Sequence, residues 1–528
     1  MTHSFDLSLP HLQRLQQDKA QHLLAGGLKG LEKESLRINP HGRIAQTPHP
    51  PALGAALTHQ YITTDYSEAL MEFITPPSGD IQDALTWLQH IHQFVYRHLD
   101  DEILLSASMP CGIDGDASIP IAEYGLSNIG QMKHIYRRGL ALRYGRTMQA
   151  IAGVHFNYSV PMPLWSYWHD RSADIQPLET FIARRYFDLI RNLLRHGWLV
   201  LYLFGASPAI CTSFFKSRPQ LAEQFDEFDD YTLYHPFATS LRMSDIGYKS
   251  ENQARLSIDY NSLPGYVSSL SHAIETPYPP YQALGILEDG EYRQLNGNIL
   301  QIENEFYSTV RPKQIAYSGE KPTLALKRRG VRYIELRSLD LDPGAPLGIA
   351  PTTAYFLEAF ILTQLLQDSP SFTPDSWAKV NHNQLRVAHK GREPGLQLAG
   401  ENGDIPLQDW ANALLTAMQP VCEVLDQAAG SEHYQNALEQ QQAKVENPDL
   451  TPSARMLTAM SSLEHPFNPY ALNLSRSHAE QLRNLPFAAQ HSQQFKHLAE
   501  ASLARQQTLE QDKSVPFAEF LAHYFAQR

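Results

Sequence analysis

The chain has 528 residues, 43% of them hydrophobic, with 25 tyrosines and 22 phenylalanines. That is ample for a sizeable core and too long for one typical single-core domain. Its formal charge of −13 argues against a nucleic-acid partner, which needs concentrated positive charge.

The opening MTHSFDLSLPHLQ lacks a basic stretch followed by an apolar one, so no signal peptide is expected. Residues 10–25 carry apolar side chains at helical spacing and are expected to form an amphipathic helix. LEKESLRI from Leu31 and LMEFITP from Leu70 have strand character, and residues 80–98 return to the helical period. AGVHFNYSV from Ala152 is a further strand, followed by a long expected helix over 178–204. Within that helix WLVLYLFGA, from Trp198, is the most apolar run, far short of the ~20 residues that span a bilayer. NILQIENEFY from Asn298 and VRYIELRSLDL from Val331 complete the strands. From about Pro351 strand signals vanish, and Gln, Ala, Leu, Glu and His dominate. Residues 1–350 therefore read as a sheet unit with flanking helices, and 351–528 as a helical region packed on it. Strands scattered among helices without regular alternation indicate an α+β fold with a mainly antiparallel sheet. Cys111, Cys211 and Cys422 are far apart and odd in number, which suits a reducing compartment without disulfides. A monomeric cytoplasmic protein with no membrane partner is expected.

Strand side chains alternate with period two, so Glu32 and Glu34 share a face opposite Lys33 and Ser35. His155, Asn157 and Ser159 share another, Glu335 and Arg337 a third, and Glu303 and Glu305 a fourth. Glu72 stands between Met71 and Phe73, with Asp65 shortly upstream. Any one of these strands could simply have a wet face. Together they differ from a washed surface, because carboxylates, one histidine and arginines dominate and lysine is scarce. That set fits a polar channel for divalent cations and a polyanion: carboxylates and histidine as ligands, arginines as bidentate clamps. The chain has no GxxxxGK[ST] loop, GxGxxG turn, GxSxG elbow or kinase motif set. A nucleotide would have to bind through metals and arginines on a sheet.

GLEKESLR, ALTHQYITTDYSEALMEFITP, SMPCGI, YGRTMQAIAGVHFNYSVPM, LFGASPAIC, ATSLRMSDIGY, QIENEFYSTVRPK and YIELRSLDLDP together resemble the monofunctional glutamate–cysteine ligase family of gamma-proteobacteria (γ-glutamylcysteine synthetases). The resemblance runs from about residue 20 to 345, and more loosely beyond. It implies a glutamine-synthetase-like fold whose curved antiparallel sheet forms a funnel. It also implies ATP-dependent ligation of glutamate to cysteine through an acyl phosphate, with two or three Mg²⁺ ions or, alternatively, Mn²⁺. The implied metal ligands are Glu32, Glu34, Asp65, Glu72, His155 and Glu335, with Glu32, Glu335 and Arg337 at the reacting centre. Tyr66, Tyr136, Leu140, Gln149, Tyr248 and Tyr307 correspond to the cysteine pocket, and at Tyr66 the family leads one to expect phenylalanine. Arg137, Arg242, Arg311, Lys313 and Arg337 are candidates for phosphate and carboxylate contacts. Two other readings stay open here: a related ligase using another small amine, and a non-catalytic nucleotide- or metal-binding relative.

Overall fold

Seven strands build one sheet: β1 (Leu28–Ile38), β2 (Ile62–Thr64), β3 (Leu70–Ile74), β4 (Ile103–Leu104), β5 (Val154–Ser159), β6 (Val310–Lys313) and β7 (Tyr333–Leu339). They come from a computed structural model that describes residues 7–247 and 256–528. The strand order is β6-β7-β5-β1-β3-β2, with β4 pairing the end of β1, and every pairing is antiparallel. The sheet is open and flanked by helices, so the α+β expectation holds.

Four of the five expected strands form. NILQIENEFY does not: Glu303–Glu305 is a 3-10 turn. Its acids take side-chain hydrogen bonds, one local and one from a later helix. Glu303 accepts from the Thr323 hydroxyl at 2.5 Å, and Glu305 accepts from the Gln301 backbone N–H at 2.7 Å. The first expected helix stops at Gln17, with Lys19 in the left-handed region at φ 54°. The 178–204 stretch divides at Gly197 into Leu178–His196 and Trp198–Phe204.

The sheet face opposite the acids is apolar, because Leu31, Phe73, Phe156 and Leu336 alternate with them. The helix Pro351–Leu366 is buried at every position from Thr353 onward, the pattern of a helix inside a core rather than on its surface. Its one carboxylate, Glu358, is 2.9 Å from the Lys29 ammonium. Glu358 also accepts from the Tyr434 hydroxyl at 2.6 Å. Lys33, on the same back face, lies 2.8 Å from His92 Nε2, and burial lowers its pKa to about 7. The β1 lysines are thus spent behind the sheet, which explains why the polar face lacks them.

One hydrophobic cluster includes Leu31, Phe156, Leu357, Leu414 and Phe495, so residues 351–528 share the core of the sheet unit. That region is not wholly helical. A hairpin, Gln397–Gly400 with Gly403–Pro406, interrupts it. Its Glu401-Asn402 turn is followed by Gly403 at φ 130°, a conformation that favours glycine. Among the described residues no helix is long and apolar enough to cross a membrane.

Candidate active site

Register assembles the polar face. Antiparallel pairing sets Glu32 opposite His155, Glu34 opposite Glu72, and Glu335 opposite both Asn157 and Arg311. Directly opposed residues on one face have Cβ atoms ~5 Å apart, so β1, β3 and β7 deliver their acids, and β5 its histidine, to one patch. His155 Nδ1 lies 3.2 Å from Glu32 and 3.7 Å from Glu335, and its Nε2 is 3.7 Å from Glu34. Asn157 donates to Glu32 at 2.8 Å, and the Gly153 backbone N–H donates to Glu34 at 2.8 Å. Glu335 Oε1 receives Lys313 at 3.2 Å and Arg337 at 3.1 Å, while its Oε2 is buried without a hydrogen-bond partner. One ligand atom each from Glu32, His155 and Glu335 lies within 4.8 Å of the other two.

This crowding divides the acids electrostatically. Burial, followed by the charges of Glu32, Asp65 and Glu34, pushes the Glu72 carboxyl well above the usual range. Burial also raises Glu34. For Glu335, burial pushes upward, but Lys313, Arg337 and His155 outweigh it and hold the group well below the usual range. Glu32 ends below it too: burial and Glu335 oppose ionisation, and the His155 hydrogen bond and Lys313 favour it. Half of the cluster is therefore anionic by virtue of its cations, and half is starved of positive charge. Oxygen-rich donors with one imidazole and a deficit of positive charge are the surroundings a hard divalent cation takes.

The acids form one side of a cavity of about 460 Å³, within the range for a small-molecule site. Asp65, between β2 and β3, lines it, and Arg137 donates to its backbone carbonyl at 2.5 Å. The helix Asn128–Tyr144 contributes Tyr136, Arg137 and Leu140 to the wall, with Tyr66, Gln149, Tyr307, Arg311, Lys313 and Arg337 from other segments. The Tyr66 hydroxyl is buried without a hydrogen-bond partner. Two expected residues stand apart. Arg242 does not line the cavity: its guanidinium donates to the Arg337 carbonyl at 3.0 Å and lies 3.7 Å from Asp340. A side chain at Gly153 would collide with it, so Arg242 packs against the Gly153 turn and holds the β7 backbone at Arg337. Tyr248 falls outside the described residues.

The cavity also contains residues outside the expected ligand and pocket sets. Lys133, whose pKa is lowered to about 8 by burial and then by Arg137, shares a helix face with Tyr136, Arg137 and Leu140. The i, i+3, i+4, i+7 spacing carried that signal. Glu305 faces the cavity as part of a fully buried pair with Arg143 at 2.9 Å. Tyr524 comes from the last helix, hundreds of residues away, with no local signal at all.

The glutamate–cysteine ligase family profile matches residues 12–387. The glutamate–cysteine ligase of Azotobacter vinelandii is 49% identical over 509 residues, covering 96% of each chain. The crystal structure of Francisella tularensis glutamate–cysteine ligase in complex with AMP superposes with a TM-score of 0.89. It is 36% identical and covers 95% of this chain and 98% of its own. The bifunctional glutathione synthetase of Pasteurella multocida shares the fold, with a TM-score of 0.75 at 24% identity over 92% of this chain and 58% of its own.

Proposed function

The chain belongs to the glutamate–cysteine ligase family, and on that premise we propose that it joins L-glutamate to the amine of L-cysteine using ATP. The product is γ-glutamylcysteine, and the reaction is the first step of glutathione synthesis. The observation carrying this reading is the register that brings Glu32, Glu34, Glu72, His155 and Glu335 to one cavity wall beside Lys313 and Arg337.

An oxygen of the glutamate γ-carboxylate attacks the γ-phosphorus of ATP, and ADP leaves. The cysteine nitrogen then attacks the acyl carbon of the resulting acyl phosphate, loses a proton and expels inorganic phosphate. The substrate supplies the nucleophile in both steps, so the protein contributes positioning and charge stabilisation. We assign Glu32, Glu34, Asp65, Glu72, His155 and Glu335 to holding two or three divalent cations, Mg²⁺ or Mn²⁺. The unpartnered Oε2 of Glu335 fits that role. Such ions would offset the negative charge of the phosphate groups.

Arg137, Arg311, Lys313 and Arg337 face the same space and take phosphate and carboxylate oxygens. Glu335 aims Lys313 and Arg337 in advance, so little reorganisation remains when the nucleotide arrives. Glu32, Glu335 and Arg337 are the residues we assign to the reacting phosphorus. Tyr66, Tyr136, Leu140, Gln149 and Tyr307 form the acceptor pocket, where phenols bind a carboxylate and their rings pack a short side chain. The residues assigned above all lie within 1–350; of 351–528, the helix Pro351–Leu366 packs in the core behind the sheet and Tyr524 reaches the cavity wall.

The test is ADP release by purified protein with ATP, Mg²⁺ and glutamate, with and without cysteine. Strong stimulation by cysteine is expected, together with near-complete loss of turnover in Glu32→Ala and Glu335→Ala variants that remain folded. Glutamate-dependent ADP release indifferent to cysteine would replace the acceptor. Near-normal turnover in both variants would remove the metal-site assignment.

A further inference from the structure

The last helix, Phe517–Ala526, is held outside the main core in a second apolar cluster made of Met132, Ile135, Leu295, Ile302, Leu521 and Tyr524. Tyr136 packs against this same cluster. Tyr524 is only 6% exposed and its side chain lines the cavity alongside Tyr136 and Ile302.

Polar contacts fasten the chain end beside it. The Gln527 side chain donates to the Gly319 carbonyl at 2.6 Å and accepts from the Lys321 N–H at 3.0 Å. The Lys321 ammonium returns to the carbonyls of Phe525 at 2.9 Å and Gln527 at 3.2 Å. Gly319 and Glu320, within this fastened loop, also line the cavity. The carboxy terminus is thus built into the wall of the site. It stands with Tyr136, Met132 and Ile302, and not on the strands β1, β3 and β7 that carry the acids.

We infer that Tyr524 bounds the acceptor end of the cavity and sets the length of amino-acid side chain accepted there. The inference rests on the ligase reading above. A rigid aromatic wall suits a side chain of one carbon and one sulfur, since contact with the ring contributes only if the space beyond it is closed. Removing the ring opens that space into the Met132–Ile302 cluster, which a longer apolar acceptor would fill.

The experiment compares full-length wild type with Tyr524→Ala and the packing-conservative Tyr524→Leu. KM and kcat are measured for glutamate, ATP, cysteine and 2-aminopentanoate, and each variant is checked by thermal melting. The expected result for Y524A is a tenfold or greater rise in KM for cysteine, with the constants for glutamate and ATP within twofold of wild type. The preference for 2-aminopentanoate over cysteine, as a ratio of kcat/KM, should rise at least tenfold, and Y524L should fall between Y524A and wild type. A cysteine-stimulated wild type whose Y524A and Y524L variants keep its acceptor constants overturns this inference alone. So does a rise in the ATP constant in place of the cysteine constant, or an equal rise in all of them. A wild type indifferent to cysteine overturns the ligase reading and this inference with it.

Discussion

Replacing Glu72 by glutamine should stabilise the protein when no divalent cation is available. Glu72 is the register partner of Glu34, and two charges ~5 Å apart at an effective dielectric of ~20 repel by ~3 kcal/mol. Proton uptake by Glu72, whose carboxyl burial and neighbouring acids push upward, relieves part of this, so ~3 kcal/mol is a ceiling. An unfolding entropy of ~2.1 cal/mol/K per residue over 528 residues is ~1.1 kcal/mol/K. Removing the repulsion then raises the melting temperature by up to ~3 °C. The assay is thermal melting at pH 8 in chelator and in magnesium. In chelator, E72Q should melt above wild type. Magnesium at ~100 times its Kd should add ~2.7 kcal/mol to wild type and distinctly less to E72Q, which has lost an anionic ligand. E72Q melting at or below wild type in chelator would refute the electrostatic account, as would an equal gain from magnesium in both proteins.

The core pair behind the sheet gives a second test. Glu358→Leu strands the Lys29 ammonium, 3% exposed, and should cost ~3–5 kcal/mol, whereas Lys29→Met with Glu358→Leu should recover most of that in denaturant unfolding. A double variant as unstable as the single would contradict this. His196, hydrogen-bonded to Gln364 at 2.7 Å, has its pKa lowered from 6.5 to about 4 by burial. The unfolded chain therefore binds the extra proton first. The stability of the neutral ring is full above pH 6.5 and falls by ~3 kcal/mol as pH drops toward 4. His196→Gln should flatten the melting-temperature profile over that window, and an unchanged slope would exclude His196 as a contributor. Gly153→Ala should drive its methyl into the Arg242 guanidinium, costing ~1–3 kcal/mol and weakening magnesium-dependent turnover through Glu34, which accepts the Gly153 N–H. Wild-type stability and turnover in that variant would show that the guanidinium moves aside freely.

Much of the sheet was legible because period-two alternation in LEKESLR, GVHFNY and YIELRS survives folding unchanged. Partnership was not, since nothing local says that Glu34 meets Glu72 or that Glu32 meets His155. Glu303 and Glu305 show the limit of the pattern. A short alternating run reads the same whether it pairs as a strand or closes a turn through its own side chains, and here Gln301 and Thr323 decide. Arg242 was chosen for its charge, but charge does not name a partner, and here Asp340 and the Arg337 carbonyl take its guanidinium. Lys133 was recoverable from helical spacing. Tyr524 was not, because its place in the wall depends on how the chain end docks on a helix far away in sequence.

The site also explains why a sheet, rather than a glycine-rich loop, can serve phosphate chemistry in this fold. A loop at a helix N-terminus binds phosphate with backbone N–H groups whose charge is fixed and partial. The sheet face instead holds full charges of both signs within a few ångströms, and each sign fixes the other. Glu335 stays ionised because Lys313 and Arg337 lie against its Oε1, and those two cations are held in place by the same oxygen. Its second oxygen remains free of hydrogen bonds, so the group that orients the cations keeps a ligand position in reserve. No lysine or arginine among the described residues lies within ion-pair distance of Glu34 or Glu72, and burial pushes both toward protonation. On the proposed function, the cations on Glu335 would meet anionic substrate oxygens and the Glu34–Glu72 pair would take added positive charge. An in-line transfer needs both at once, across the distance between an attacking carboxylate and a departing nucleotide. Strand register fixes the spacing of these groups, because residues two apart on β1 and their partners on β3 and β5 are set by the ladder itself.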